Sequence, residues 1–463
     1  MVFSNLIFLY LFLPVCLIFY FLCQNIRAKN AVLIVFSLIF YAWGEPRWIL
    51  LLLASILVTW LLGRAMRLEA SAGRRRGLLI LGLVFQLGLL VAVKYAGFFF
   101  GAFIDLPKLH LPLGVSFYTF HAISYLVDVY RQKTPPQKNL LRLGLYLALF
   151  PKLVMGPIVP YHELEPALAQ RTIDAQDVSD GCFRFTIGLA KKALLADALA
   201  GLVTGIWGDL ASLTVLSAWL GLIGYALQLY FDFSGYSDMA IGLGRMLGFR
   251  FPENFRYPYL CSSISDFWRR WHISLGSWFK EYLYFPLGGS RTGTLRTLRN
   301  LLLVWLATGL WHGASWNYVL WGLYFGVLIC LEKLLAPHFR AHPRKGLLAG
   351  LYRPVCLLLA VLGWVLFRAE DLPAAGRYFA CLFGGAAGAS AQARLYLHDF
   401  WPVLLLGAVG ATPLCAKLAG RLGAKLQPGV RAAVQAVLVL ALLACSTVWL
   451  LNGSFQSFVY FQF

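Results

Sequence analysis

Two histidines in aromatic, apolar surroundings carry the chemistry most readily read from this chain. His272 lies in Phe267-Trp268-Arg269-Arg270-Trp271-His272, and His312 in Leu310-Trp311-His312-Gly313. An imidazole removed from water is disfavoured as its cation and rests neutral near pH 7, the state a proton acceptor needs. Ionisable side chains at membrane depth are costly, so by default they mark a pathway or a site. Two carboxylates join them, Asp232 and Asp238, within the run Gln228 to Gly244, which also holds two serines and several glycines. Each acid must find a donor or a cation. Polar groups at such depth are tolerated where protein or a watery cavity surrounds them, so this broken apolar run is expected to line an interior tunnel. The plainer alternatives are packing histidines bonded to a carbonyl, and small residues that only let helices approach closely.

Three arginines follow the acids: Arg256 in Asn254-Phe255-Arg256-Tyr257, then Arg269 and Arg270 among Trp268, Trp271 and Trp278. This pattern reads as an interfacial or re-entrant helix whose cations suit an anionic donor. The alternative is that they snorkel to lipid phosphate and pair with Asp266. Gly242-Leu243-Gly244 lacks the strand and helix context of a dinucleotide fingerprint. The nine cysteines stand singly with no metal or redox spacing, so no metal site is expected.

The elements that must hold these groups are membrane helices. Of 463 residues, 60% are hydrophobic and 13% charged, and the mean hydropathy is +0.71, far too little polar surface for a water-soluble globule. The fold class is therefore all-α and polytopic. A formal net charge of +20 invites a nucleic-acid reading, but the basic residues are dispersed between apolar runs. Apolar stretches long enough to span are read near 5–23, 77–100, 181–205, 213–232, 315–335, 354–370, 400–416 and 434–452. Shorter or interrupted ones lie near 31–43, 48–63, 111–130, 140–158, 234–250, 262–280 and 300–312, and some should be re-entrant or tilted.

Basic clusters at 27–29, 64–76, 131–142, 191–192, 245–299, 333–353 and 417–431 are expected on the cytoplasmic side, which leaves both termini outside. The first apolar segment lacks a basic n-region and a small-residue cleavage site, and is read as a retained helix. With no internal repeat or long linker, residues 1–463 read as a single integral domain with a motif core at about 228–322 and an aromatic tail at 458–463.

Several words of this sequence are familiar in order. Leu113 to Phe120, Phe150-Pro151 with Gly156-Pro157-Ile158, Tyr230 to Gly244, Phe267 to Leu275, Leu310 to Gly313 and the tail Phe458 to Phe463 together resemble the membrane-bound O-acyltransferase family. The resemblance is to its bacterial branch, which includes membrane proteins that acetylate alginate, cellulose and peptidoglycan and the D-alanyl transfer protein of teichoic acids.

That resemblance implies about eleven spanning helices in a ring, with re-entrant helices around a central tunnel. It aligns His312 with the family's catalytic histidine and His272 with its second motif histidine. It implies an O-acyltransferase in the bacterial cell membrane that takes an acyl group, most simply acetyl, from a cytosolic thioester such as acetyl-coenzyme A or an acyl-carrier protein. No bound cofactor is expected. Delivery to an extracytoplasmic polysaccharide is expected to need a separate secreted or membrane-anchored transferase. Neutral imidazole suits the proton transfer from an attacking hydroxyl, so His312 is read as general base, with His272, Asp232 or Asp238 in support. Tyr460, in the outward tail, has a phenol able to carry the acyl group as an ester; the alternative is an interfacial anchor. A transporter or flippase with His272 and His312 in a proton or substrate path is the competing class, although no matched broken-helix repeat is found.

Overall fold

A computed structural model describes residues 1–67, 70–100, 112–291, 293–341, 347–452 and 458. Among them every regular element is helical. Six helices are long and apolar enough to cross a membrane, and a seventh span results if Ala391–Gly410 and Leu414–Gly423, bent by 66° at their junction, count as one. The six are Ile26–Gly44, Ala72–Phe99, Val215–Met246, Trp316–Leu335, Gly350–Arg368 and Pro428–Asn452. Their surroundings differ sharply: 78% of the apolar window of Val215–Met246 is buried but only 6% of that in Pro428–Asn452, whose flank is left for lipid to cover. The chain is a multi-pass membrane protein.

Two compact units form, one from Met1–Leu189 with Tyr236–Glu253 and one from Ala190–Gly235 with Asn254–Phe463. The long helix Val215–Met246 contributes to both. Its continuity differs from the two segments expected at 213–232 and 234–250. Ser234, Gly235 and Ser237 do not interrupt it, because each buried acid along it meets a cation from another helix.

In the first unit the helix Val115–Tyr130 is buried on nearly all sides, as its apolar periphery requires. Two of its polar residues have clear partners: Asp128 lies 2.7 Å from His162 Nδ1, and Ser124 donates to the carbonyl of His121 at 2.8 Å. Gly114 starts the helix at φ 74°, and a Cβ there would meet the Leu153 carbonyl at 2.6 Å, so that turn is reserved for glycine. Phe3, Phe8, Phe12, Phe40 and Phe150 pack ring against ring around the Phe150-Pro151 turn, whose amide donates to Ser37 Oγ at 3.1 Å.

The second unit is organised by a tryptophan-rich core. Trp207 stacks on Tyr378 at 3.9 Å, while Trp268, Trp305, Trp321, Trp364 and Phe325 meet mostly edge to face. Each such pair adds about 0.5–1.5 kcal/mol beyond area burial. The helices Thr294–His312 and Trp316–Ala341 run antiparallel through this core. They approach at Gly309 and Gly322: a Cβ on the first would strike the Tyr318 carbonyl, and one on the second the Trp305 carbonyl. The region near 181–205 is not one regular helix. It consists of Ala175–Ala190, a π-helical turn Lys191–Ala196 and Asp197–Trp207. Such turns often mark sites.

Candidate active site

His312 is the last residue of the helix Thr294–His312, and extended Gly313 ends that helix. The chain turns at once into Trp316–Ala341, so the His312 ring faces back into the core. It is buried, with ring contacts to Trp311 at 4.8 Å, Trp321 at 4.9 Å and Phe367 at 5.0 Å, the last two edge to face. Asn317 donates to the Ala369 carbonyl at 2.6 Å, tying the first turn of Trp316–Ala341 to the end of the helix that carries Phe367. The ring is thus held on several sides by aromatic walls whose own positions are fixed.

His272 arises differently. The stretch expected at 262–280 splits into two seven-residue helices, Ile264–Arg270 and Ile273–Phe279, too short to span. Between them His272 takes a left-handed backbone, φ 44° and ψ 52°, which histidine tolerates better than bulky or β-branched residues. Backbone pairing holds the kink: the Arg256 amide donates to the Arg270 carbonyl at 2.9 Å, and the Ile273 amide to the Asn254 carbonyl at 3.0 Å. The first short helix is capped by a distant acid. Glu332 accepts from the Ile264 and Ser265 amides at 2.7 and 2.8 Å, and Tyr352 donates to it at 2.8 Å.

Asn254 fixes the tautomer of His272. Its Oδ1 accepts from the Ser274 amide at 3.2 Å and from Ser274 Oγ at 3.0 Å, and lies 3.2 Å from His272 Nδ1. A backbone amide can only donate, which identifies that atom of Asn254 as the oxygen. His272 Nδ1 is therefore the nitrogen that carries a proton, which in the neutral tautomer leaves the lone pair on Nε2. Phe233 meets this ring edge to face at 4.6 Å, and Trp311 lies 6.0 Å from it. Trp311 consequently touches both histidines, and the two rings belong to one aromatic cluster.

Among the described residues, the structure gives the remaining predicted residues other than Tyr460 a place. Asp232 is buried with its Oδ1 2.7 Å from Lys192 Nζ, and the same ammonium lies 2.7 Å from Asp197. Asp238 belongs to the first unit, where Arg184 binds it at 2.7 Å and grips Glu253 with two nitrogens at 2.9 and 2.6 Å. Arg270 pairs with Asp266 at 3.0 Å, while Arg269, with its side chain 71% exposed, reaches the same acid at 3.7 Å. Burial works against ionisation of Asp266, but the Ser262 amide and the Arg270 guanidinium hold its carboxyl below the ordinary value. Arg256 is exposed. Tyr460 lies outside the described residues. Phe458, two positions earlier, is buried with its ring centre 4.4 Å from Lys192 Nζ.

Lys192, Asn254, Trp311 and Glu332 are the positioning residues that sequence reasoning missed. Lys192 carries a signal, a lysine inside an apolar run, which its place in the basic pair 191–192 masks. Asn254, two residues before Arg256, carries no signal in the sequence beyond its polarity.

With this geometry established, comparison with known proteins is informative. The profile of the membrane-bound O-acyltransferase family matches residues 137–349, a stretch holding both histidines and both acids. The chain is 43% identical over 397 residues to the Probable alginate O-acetylase AlgI of Pseudomonas aeruginosa, covering 83% of this chain and 75% of that protein. It is 35% identical over 416 residues to the Peptidoglycan O-acetyltransferase of Helicobacter pylori, covering 81% and 78%. A Teichoic acid D-alanyltransferase of Bacillus subtilis is 29% identical over 249 residues, or 49% of this chain and 62% of that protein. An all-helical multi-pass protein with a buried histidine at a Trp-His-Gly helix end, so similar along most of its length to these enzymes, is an O-acyltransferase: the chain belongs to the membrane-bound O-acyltransferase family.

Proposed function

We propose that this protein takes an acetyl group from a cytosolic thioester and passes it across the bacterial cell membrane for O-acetylation of an extracytoplasmic polysaccharide, with His312 as general base. The observation that carries the base assignment is the enclosure of His312 at a helix end by Trp311, Trp321 and Phe367. A ring so placed keeps one orientation and little water, the conditions under which a neutral imidazole accepts a proton efficiently. The attacking hydroxyl gives its proton to His312 as its oxygen bonds to the thioester carbonyl. The carbon–sulfur bond then breaks, the proton passes to the departing thiolate, and the products are an ester and a free thiol. His272, with Nδ1 committed to Asn254, supports the same cluster through Trp311.

We read residues 1–463 as one integral enzyme of about eleven spans in a ring, with the short helices flanking His272 as re-entrant pieces at a tunnel. The donor is acetyl-coenzyme A or an acyl-carrier protein, the exposed Arg256 and Arg269 being suited to its phosphates. Tyr460 is our candidate acyl receiver on the outer side, and a separate transferase completes delivery to the polymer. The relatives named for alginate and peptidoglycan acetylation support the acceptor class. The transporter reading loses its ground, since these relatives are named for group transfer.

Thioester-dependent acyl transfer by the full chain in reconstituted membranes tests the assignment. His312→Ala is expected to lower the rate by about 10²–10⁴, the range of a lost general base. Retained transfer would remove His312 from the mechanism.

A further inference from the structure

The first unit holds a cleft of about 710 Å³ that the acyl-transfer reading does not use. Arg27, Lys138 and Arg142 line it, together with Leu141 and one acid, Glu165. Two basic clusters far apart in sequence, 27–29 and 131–142, thus meet at one place. Arg64 adds a further cation nearby, its guanidinium donating to the Lys138 carbonyl at 3.3 Å.

Two features make this cleft electrostatically incomplete. Arg27, Lys138 and Arg142 form no ion pair among the described residues, whereas Arg184, Arg245 and Arg250 of the same unit each hold a carboxylate. Glu165, at the cleft wall, accepts from Thr134 Oγ1 at 3.1 Å and offsets only one of the three lining cations. Two helices also begin here, Ile26–Gly44 behind the cap Asn25 and Leu140–Ala148 behind the cap Asn139. Neither has an acid in its first turn; instead Arg27 and Arg142 sit there, against the positive end of the helix dipole. Cations at two helix starts repel the same partial charges that an anion would satisfy.

The surroundings indicate which anion. Ile26–Gly44 is a membrane-spanning candidate, so its first turn lies at headgroup depth. Leu141, 60% exposed, lines the same cleft, and Val35 and Ile39 stand exposed along the helix that leads away from it. A phosphate in the cleft would have apolar surface beside it for acyl chains.

We propose that this cleft is a binding site for the phosphate headgroup of an anionic phospholipid, held by Arg27, Lys138 and Arg142. The chemistry recognised is a phosphate ester, and the test separates a lipid from a free phosphate. The full chain is purified in detergent, mixed with phosphatidylglycerol or phosphatidylcholine, and its bound lipid counted by native mass spectrometry, with and without millimolar inorganic phosphate. Selective retention of phosphatidylglycerol is expected, falling about fivefold for each cation changed to Gln, as expected for a basic side chain at an anionic surface. Arg27→Lys with Arg142→Lys is expected to keep the selectivity, which separates charge from folding. Equal retention of phosphatidylglycerol by wild type and by the Arg27→Gln, Lys138→Gln, Arg142→Gln variant overturns the site. Displacement of the lipid by inorganic phosphate overturns the lipid assignment.

Discussion

The ring of Phe458 is centred 4.4 Å from the ammonium of Lys192, and that ammonium is 2.7 Å from both Asp232 and Asp197. The start of the aromatic tail is therefore seated on a buried cation that also neutralises an acid of the family-matched segment. A lysine in such a position is stabilised by its two carboxylates and by the face of the ring.

Removing the ammonium leaves two buried acids without it. Lys192→Gln is expected to destabilise the protein by about 3–5 kcal/mol, the cost of breaking a buried ion pair from one side. Thermal unfolding of the purified protein in detergent measures this. A stability equal to wild type would contradict the network.

Asn254→Ala deletes the acceptor shared by His272 Nδ1, the Ser274 amide and the Ser274 hydroxyl. Leaving buried donors unmatched costs about 1–3 kcal/mol. If His272 must hold one tautomer, acyl transfer should fall by roughly tenfold or more with little change in donor KM. A KM effect alone would point to a purely structural Asn254.

Gly309 and Gly322 let two helices meet backbone to backbone beside His312. Gly322→Ala is expected to force them apart at a cost of about 1–3 kcal/mol. Activity should fall more than stability, because the Trp321 wall of His312 lies on the displaced helix. Parallel unfolding and transfer assays decide this.

Tyr460→Phe keeps the aromatic tail and removes its oxygen. If Tyr460 receives the acyl group, transfer to polymer should fall to background while an acetyl-labelled tail peptide disappears from mass spectra. Unchanged acylation in this variant would sink the relay.

The Asp266–Arg270 pair gives a pH signature. A carboxyl held below its ordinary value contributes stability that is complete above 3.8 and is lost as pH falls through its lower folded value. Arg270→Gln removes one of the groups that lower it, so the acid limb of an unfolding-temperature profile should move upward toward pH 3.8. An unmoved limb would show that the Ser262 contacts suffice.

What was legible in the sequence was what depends on local composition and order. The apolar runs established a helical membrane protein, since a bilayer admits few other ways to satisfy a backbone. The words around His272 and His312 announced the family because motifs survive as strings. The need of Asp232 and Asp238 for a partner was equally legible, since buried charge demands one.

The identity of those partners was decided by tertiary structure. Lys192 reaches Asp232 from a π-helical turn on another helix, Arg184 binds Asp238, and Glu332 caps a short helix distant from it in sequence. Ser234 and Gly235 looked like a break, yet the helix Val215–Met246 runs through them, because packing and partnered charges outweigh a weak local propensity. Sequence alone determined that two histidines stand in apolar, aromatic stretches of a membrane protein. Only the fold placed Trp311 against both and set Asn254 beside one, because ring contacts and hydrogen bonds depend on three-dimensional distance, which chain order does not encode.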